Sequence, residues 1–310
     1  MSELDPAAFP VERATVRDGV EVAYVRANPG GFPLLLVHGW PETMRIWWRN
    51  VGPLADAGFE VIVPDLRGFG LSGLAPDDHY DMAASARDLH ALVYGELGHE
   101  CCATAGGDYG GVVVQDLALR FEGFVVRQCL FNTICPVLPD AYAAAGIAAS
   151  PPRRSRMAAD YFVRQGSDAD ALAAELDSPD KRRRYVAQMY WPRFWAAPGG
   201  FTQEEVDFMT EPFADGDKLR ASFGLYESAL GNRPASEPPR FLEPNPVETL
   251  VLYGPEDHVI WPDFTARAEV AFPHRVGPFV VPGAGHFLQW ERAELLNGAL
   301  VAFLRDLLVA

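Results

Sequence analysis

Short, uninterrupted runs of apolar residues recur along the chain, and stretches with helical spacing separate them. The runs occupy positions 34–37, 61–63, 101–104, 125–131, 249–254 and 278–281. The first four runs suit strands that are buried on both faces, as in a parallel sheet covered by helices, and the last two predict two more strands. Positions 11–25 instead predict two short strands around a turn at 17–19, which form a hairpin at the start of the sheet. The pattern predicts an α/β fold with a mostly parallel sheet.

The region from position 134 to 245 breaks this rhythm. It shows helical patterns without a convincing buried strand, and proline-rich segments lie at both of its ends. We therefore predict a core domain made of residues 1–133 and 246–310, with a helical cap domain inserted at 134–245. Within the core, Asp81 is expected to cap a helix, and a closing helix is expected at 293–308.

The overall composition indicates which kinds of partner and which cellular compartment to expect. The 310 residues are 49% hydrophobic and carry a formal net charge of −16, which disfavours nucleic acid and anionic membranes as partners. We expect no signal peptide and no membrane-spanning segment, because neither pattern is visible. The four cysteines lie in or beside apolar runs, as core cysteines do in a reducing compartment. We expect a cytoplasmic protein.

The segment AGGDYGG at positions 105–111 stands between an apolar run and a helical pattern. Glycines on either side of the acid let a helix pass close to the preceding strand, in a strained turn that presents the central side chain. Serine is the usual residue at that point, and here it is Asp108. A carboxylate can attack an alkyl carbon and leave an alkyl ester on the protein. Asp108 is therefore the candidate nucleophile.

Three further motifs follow predicted strands. In a fold with such a turn, the loop containing His38-Gly39-Trp40-Pro41 supplies one amide of an oxyanion hole, and the residue after the nucleophile supplies the other. Those amides belong to Trp40 and Tyr109. Asp257 and His286 lie in loops after the last two predicted strands. Nucleophile, acid and histidine in this order form one of the known arrangements of a catalytic triad.

With these motifs in order, the chain resembles the α/β-hydrolase superfamily, specifically its aspartate-nucleophile branch, and within that branch the epoxide hydrolases. The likeness covers nearly the whole chain and includes a loop in which Asp65 and Arg67 are expected to brace the site. It implies that His286 is a general base oriented by Asp257. It also implies that the peptide bond after Trp40 is cis, which aims the Trp40 amide inward.

The resemblance assigns further residues in the cap. Epoxide hydrolases use two cap tyrosines to hold and protonate the epoxide oxygen, and the segments around Tyr226 and Tyr161 resemble those motifs, although Glu227 replaces the usual arginine. Other cap tyrosines remain alternatives for the second position: Tyr142, Tyr185 and Tyr190. Trp191 and Trp195 are candidate substrate-binding residues, because an indole N–H could donate to a departing halide.

The implied reaction is the opening of a small apolar epoxide by water to a vicinal diol, with no metal and no organic cofactor. Nucleic acid and membrane are not expected partners, and a homodimer is left open. A haloalkane or haloacid dehalogenase using Asp108 is the nearest alternative, although Trp40 and Tyr109 stand where many such enzymes carry their halide donors. A non-catalytic ligand-binding protein of the same fold would be expected to lack one of Asp108, Asp257 and His286.

Overall fold

A computed structural model describes residues 4–148, 157–192, 195–260 and 262–308 of the chain. Its centre is a sheet of eight strands: β1 Val11–Thr15, β2 Glu21–Ala27, β3 Phe32–Val37, β4 Phe59–Pro64, β5 Cys102–Gly107, β6 Val125–Phe131, β7 Glu248–Tyr253 and β8 Arg275–Val280. Their spatial order is β1-β2-β4-β3-β5-β6-β7-β8. β1 and β2 form the predicted hairpin and β2 pairs antiparallel with β4, whereas all later neighbours are parallel.

Helices cover this sheet and fill the long connection between β6 and β7. The α-helices are α1 Trp48–Asp56, α2 Met82–His90, α3 Asp108–Arg120, α4 Pro139–Ala144, α5 Met157–Ser167, α6 Ala169–Glu175, α7 Pro179–Ala187, α8 Gln203–Thr210, α9 Gly216–Ser222, α10 Gly224–Ala229, α11 Phe264–Ala271, α12 Leu288–Glu291 and α13 Ala293–Leu304. Single turns of 3₁₀-helix occur at Arg17–Gly19, Met44–Trp47, Gln188–Tyr190, Glu211–Ala214 and Arg305–Leu308, and α2 continues as a π-helix over Ala91–Glu96.

The continuous apolar runs form the buried centre of the sheet. β4 and β5 are buried at every position, because α1 packs on β4 and α3 packs on β5 and β6. Asp81 caps α2 as predicted, with its side chain accepting a hydrogen bond from the Ala84 amide at 3.1 Å. The predicted α/β fold is confirmed.

The connection from β6 to β7 contains helices α4 to α10 and, among its described residues, no strand. Its two ends meet, since the Val137 amide donates to the Phe241 carbonyl at 3.0 Å. Inside it, α5 packs against α10. This is the arrangement expected of a cap inserted into the core, while the exact limits at 134 and 245 stay predictions.

The last predicted strand is present at the edge of the sheet, and the last predicted helix is shorter than expected. β8 is the edge strand beside β7, with Phe279 and Val280 52% and 56% exposed. An apolar run reads the same at the edge as in the centre of a sheet, so the sequence pattern could not separate the two cases. The closing α-helix ends at Leu304, and its final predicted turn is 3₁₀-helix.

Two expectations about the chain as a whole concern membranes and cysteines. No helix within the described ranges has the length and apolar character that a membrane crossing requires. All four cysteines are free thiols, and Cys102, Cys129 and Cys135 are buried. Burial is the core role predicted for them.

Candidate active site

Asp108 occupies the sharp turn between β5 and α3. Its φ of 45° lies in the left-handed region that non-glycine residues rarely adopt. Its amide donates to the Asn132 carbonyl at 2.9 Å, and its carbonyl accepts from the Thr133 hydroxyl at 2.6 Å. A Cβ on Gly106 would lie 2.8 Å from the Gly110 carbonyl carbon, so small residues are required on both sides of the turn, as predicted.

The structure brings His286 and Asp257 to Asp108. His286 Nδ1 lies 2.9 Å from Asp257 Oδ2, and His286 Nε2 lies 3.2 Å from Asp108 Oδ2. The Asp257 side chain is held in turn by the amides of Val259 and Ile260, which donate to Oδ1 at 2.6 and 3.1 Å. Asp257 can therefore orient the imidazole ring while the other ring nitrogen faces the candidate nucleophile.

The protonation state of His286 depends on its two acidic neighbours. Burial alone lowers the pKa of His286, but the Asp257 carboxylate, and then Asp108, outweigh that effect and raise the pKa well above its ordinary value. If Asp108 lost its negative charge, its share of the increase would disappear. The basicity of His286 is thus coupled to the chemical state of Asp108.

The amide of Trp40 points at the candidate nucleophile. It donates to Asp108 Oδ1 at 2.8 Å, and the peptide bond between Trp40 and Pro41 is cis, as predicted. Tyr109 is the second residue of α3, so its amide is one of the first-turn N–H groups that the helix itself leaves unpaired. The structure thus brings the Trp40 donor to Asp108, and the Tyr109 amide remains the predicted second donor.

Tyr161 of α5 and Tyr226 of α10 lie together above Asp108. Their ring centroids are 5.6 Å apart at 90°, and each ring packs on Trp40 at 5.6 Å. Burial raises the pKa of both tyrosines well above 10, and the negative charge of Asp108 adds to this increase. Both hydroxyls consequently remain protonated at neutral pH and can serve as proton donors.

The alternative cap tyrosines have other partners. Tyr142 donates its hydroxyl to the Pro136 carbonyl at 2.6 Å, and Tyr190 donates to the Pro41 carbonyl at 2.5 Å. The Tyr185 hydroxyl accepts from the Gln165 side chain at 2.9 Å. Tyr161, by contrast, lies directly beside Tyr226, and its role as the second proton donor stays a prediction.

Trp191 and Trp195, the predicted substrate-binding residues, lie beside the site, and their role stays a prediction. Trp195 is fully buried, with its ring 5.0 Å from His286 and 4.9 Å from Tyr161. Trp191 packs partly buried on the core. Among the described residues that line the cavity beside Asp108, neither tryptophan occurs. Both residues lie outside the helices of the described part of the cap, so helical periodicity could not predict their orientation.

A cavity of about 550 Å³ lies between the core and the cap, and Asp108, Tyr161 and Tyr226 all line it. Its wall is mainly apolar and comes from both sides of the molecule. Tyr109 also lines it, with its hydroxyl donating to the Tyr80 carbonyl at 3.1 Å. A concave apolar site with a few convergent polar groups is typical of small-molecule binding.

Comparison with known proteins agrees with this geometry. A family profile described as Alpha/beta hydrolase family matches residues 34–299. The chain belongs to this family. The alpha/beta hydrolase is 29% identical to Epoxide hydrolase A of Mycobacterium tuberculosis, over 96% of this chain and 98% of that protein. It is 30% identical to Bifunctional epoxide hydrolase 2 of Sus scrofa, over 97% of this chain and 56% of that protein.

Solved structures give the same fold. The structure of "Epoxide hydrolase CorEH without ligand" matches with a TM-score of 0.80 at 21% identity, covering 96% of this chain and 99% of that one. A thermophilic esterase from Thermogutta terrifontis matches with a TM-score of 0.70 at 25% identity, covering 96% and 99%. Because an esterase shares the fold, the chemistry of this hydrolase has to be argued from its site.

Sequence reasoning missed a buried asparagine that connects the loops carrying Asp108, Asp257 and His286. Asn132 directly follows β6, is fully buried and has a φ of 41°. Its carbonyl accepts from the Asp108 amide, and its side-chain oxygen accepts from the Gly254 amide at 2.8 Å. Its side-chain amide donates to the carbonyls of Gly285 and His286. The one sequence signal was a polar residue at the end of a buried strand.

Two buried glutamates brace the loop that carries Trp40 and the loop that carries His286. Glu42 accepts from the Gly39 amide at 2.6 Å, and Glu291 accepts from the amides of Gly285 and Ala197. Burial raises the pKa of each glutamate to about 7. In the sequence, neither glutamate differs from an ordinary surface acid.

Asp65 and Arg67 lie behind the residues that line the cavity, and they brace loops as predicted. Asp65 accepts from the amides of Met44 and Leu71, both at 2.7 Å. Arg67 forms two hydrogen bonds with Asp88, at 2.6 and 2.8 Å. Their contacts support the backbone near the site and do not reach the cavity.

Proposed function

We propose that this alpha/beta hydrolase opens epoxides to vicinal diols through an alkyl ester on Asp108. The observation that carries the proposal is the pair of protonated tyrosines, Tyr161 and Tyr226, in the same cavity as a carboxylate with a histidine behind it. An acyl substrate needs no acid at that place, whereas an opening epoxide develops an alkoxide that must be protonated. The names of the relatives support the same reaction.

In the first step, a carboxylate oxygen of Asp108 forms a bond to an epoxide carbon while the carbon–oxygen bond of the ring breaks. The electron pair goes to the epoxide oxygen, which takes a proton from Tyr226 or Tyr161. The product is a neutral hydroxyalkyl ester of Asp108. Because this ester has no negative charge beside His286 Nε2, the pKa of His286 falls. The imidazolium then gives its proton to the tyrosinate that the first step left, and the neutral imidazole can act as a base.

In the second step, His286 removes a proton from water, and the water oxygen attacks the ester carbonyl carbon. The amides of Trp40 and Tyr109 stabilise the oxyanion, and each donor in comparable sites contributes roughly 3–4 kcal/mol. The intermediate collapses to the diol, whose departing alkoxide takes the proton from His286. The proton of the restored Asp108 carboxyl returns to His286, whose pKa rises again beside the carboxylate, so epoxide and water are consumed and only diol is formed.

Dehalogenation would use the same nucleophile but needs donors for the halide. The Trp40 indole N–H is donated to the Ser222 hydroxyl at 3.0 Å, and Tyr109 has no ring N–H. In the cap, the Trp195 ring packs against His286, and neither Trp191 nor Trp195 is among the described residues that line the cavity. Neither Trp40 nor Tyr109 therefore offers a free donor for a halide, and the two protonated tyrosines beside Asp108 favour the epoxide as substrate.

A mixed panel of substrates tests the proposal directly. The purified protein is incubated with styrene oxide, cyclohexene oxide and 1,2-epoxyhexane, and separately with 1-bromohexane and 1-chlorobutane. Diol and free halide are measured in every reaction, with Asp108→Ala as the control. We expect diol from epoxides, no halide above background, and neither product from the control. If the haloalkanes released halide while none of the epoxides gave a diol, the result would contradict the proposal.

Asn132 gives a prediction about alignment of the triad. Asn132→Ala leaves the Gly254 amide and two carbonyls without their buried partner, so the free energy of unfolding should fall by about 1–3 kcal/mol. The kcat for diol formation should also fall by about tenfold or more, because the loops of Asp257 and His286 lose their common support. KM should change little, since Asn132 does not occur in the described cavity wall.

The matched control is Asn245→Ala. Asn245 is also fully buried, and its side chain accepts from the Val247 amide at 3.1 Å, apart from the catalytic loops. This variant should lose stability without losing kcat. Equal losses of kcat in both variants, tracking only the fall in stability, would remove the positioning role of Asn132.

A further inference from the structure

The cavity is larger and more apolar than the opening of a small epoxide requires. Its volume of about 550 Å³ lies within the range of pockets that enclose drug-sized molecules. Only Asp108 and the two tyrosines are needed at the reacting carbon and oxygen. Much of the remaining wall is hydrocarbon, from both the core and the cap: Met82, Val112, Cys135, Phe162, Leu225 and Phe241.

The apolar wall continues to the mouth of the cavity. Ile134, Val137 and Val163 line the cavity, yet their side chains are 40%, 54% and 51% exposed. Ile134 and Val137 belong to the segment after β6, and Val163 belongs to α5, so the apolar rim has contributions from two elements. Apolar groups exposed together around a concave site gain free energy when a ligand covers them.

The charged groups in the wall already have partners. Asp81 caps α2 and accepts from Ser236. Glu237 forms ion pairs with Arg87 and Arg120, at 2.5 and 2.6 Å.

Arg267, the one arginine or lysine among the described wall residues, pairs with Asp263 at 3.0 Å and donates to the Ala148 carbonyl. With a formal net charge of −16 on the protein, a carboxylate on the substrate would be repelled and would have to displace an existing pair.

We infer that the substrate is an uncharged epoxide with a long hydrocarbon arm, which lies along the apolar wall and reaches the rim of Ile134, Val137 and Val163. The inference rests on the proposed function and specifies its substrate class. The epoxide ring sits at Asp108 beneath the two tyrosines, and the arm fills the rest of the cavity. Each methylene that moves from water to this wall should raise kcat/KM by up to about fourfold.

A homologous series of substrates measures this effect. The kcat/KM is determined for 1,2-epoxybutane, 1,2-epoxyhexane, 1,2-epoxyoctane and 1,2-epoxydecane, at concentrations where each is monomeric. We expect a steady increase with chain length. Val137→Ser/Val163→Ser should lower kcat/KM by about tenfold for epoxydecane and leave epoxybutane nearly unchanged. Val280→Ser, at a valine that is 56% exposed on β8, is the control and should alter neither.

The outcomes separate the inference from the proposed function. Diol formation with no dependence on chain length would overturn the inference and leave epoxide hydrolysis intact, whereas the absence of diol from every member would overturn epoxide hydrolysis. A long-chain epoxy acid and its methyl ester test the charge: we expect the ester to be preferred. A preference for the free acid would overturn the choice of an uncharged substrate.

Discussion

Replacing His286 with glutamine should stop turnover and leave the substrate covalently attached to the protein. Asp108 can still attack the epoxide, because the first step needs no base. Hydrolysis of the resulting ester does need one, and general-base catalysis typically contributes at least about a hundredfold. Intact-mass measurement after incubation with an epoxide that the native protein hydrolyses should show an adduct of the substrate's mass. Peptide mapping should place that adduct on Asp108.

Two controls make the result specific. Asp108→Ala/His286→Gln should show no adduct. His258→Gln removes another histidine of the cavity wall, next to Asp257 in the sequence, and should continue to turn over without accumulating adduct. An unmodified His286→Gln protein, or an adduct on another residue, would show that Asp108 is not the nucleophile.

The sequence correctly predicted that Asp108, Trp40, Asp257 and His286 lie together, because the signals for their positions are local. The nucleophile turn depends on glycines within two residues of Asp108, and the Trp40–Pro41 loop directly follows a continuous apolar strand. Parallel strands bring their carboxyl ends to one edge of the sheet, so residues placed after β3, β5 and β7 meet there whatever their separation in the chain. The chain order of Asp108, Asp257 and His286 then matches one known arrangement of a catalytic triad.

The features that the sequence did not predict depend on contacts between distant segments. Asn132 pairs with residues 254, 285 and 286, and no local pattern records a hydrogen bond across such a separation. The placement of Trp195 is decided by its packing on His286 and Tyr161, which helical periodicity does not specify. The contribution of Val163 to the cavity wall likewise depends on how α5 packs in the folded protein, and the sequence does not specify that packing. The position of a residue directly after a strand therefore predicted that it belongs to the site. The sequence did not predict the orientation of side chains within the cap.

Loss of the tyrosine hydroxyls should slow ring opening while leaving the cavity intact. Tyr226→Phe removes one proton donor and keeps the ring that packs on Trp40, so epoxide kcat/KM should fall by at least about tenfold, which corresponds to about 1.4 kcal/mol of transition-state stabilisation. Tyr161→Phe/Tyr226→Phe should fall further, because the alkoxide then has no acid within reach. Tyr142→Phe, which loses a hydrogen bond to Pro136 inside the cap, is the matched control and should retain activity.

The same variants distinguish the two reactions that Asp108 could perform. A halide is a good leaving group and needs no proton, so a dehalogenase would be nearly indifferent to the loss of both hydroxyls. Opening of an epoxide produces an alkoxide, which is strongly basic and needs a proton. Ring opening is therefore the step that should fail in the double variant. In rapid-mixing experiments the double variant should form the Asp108 ester slowly and, once formed, hydrolyse it at close to the native rate, because His286 and Asp257 are unchanged. Native rates of ester formation in the double variant would remove the tyrosines from the mechanism.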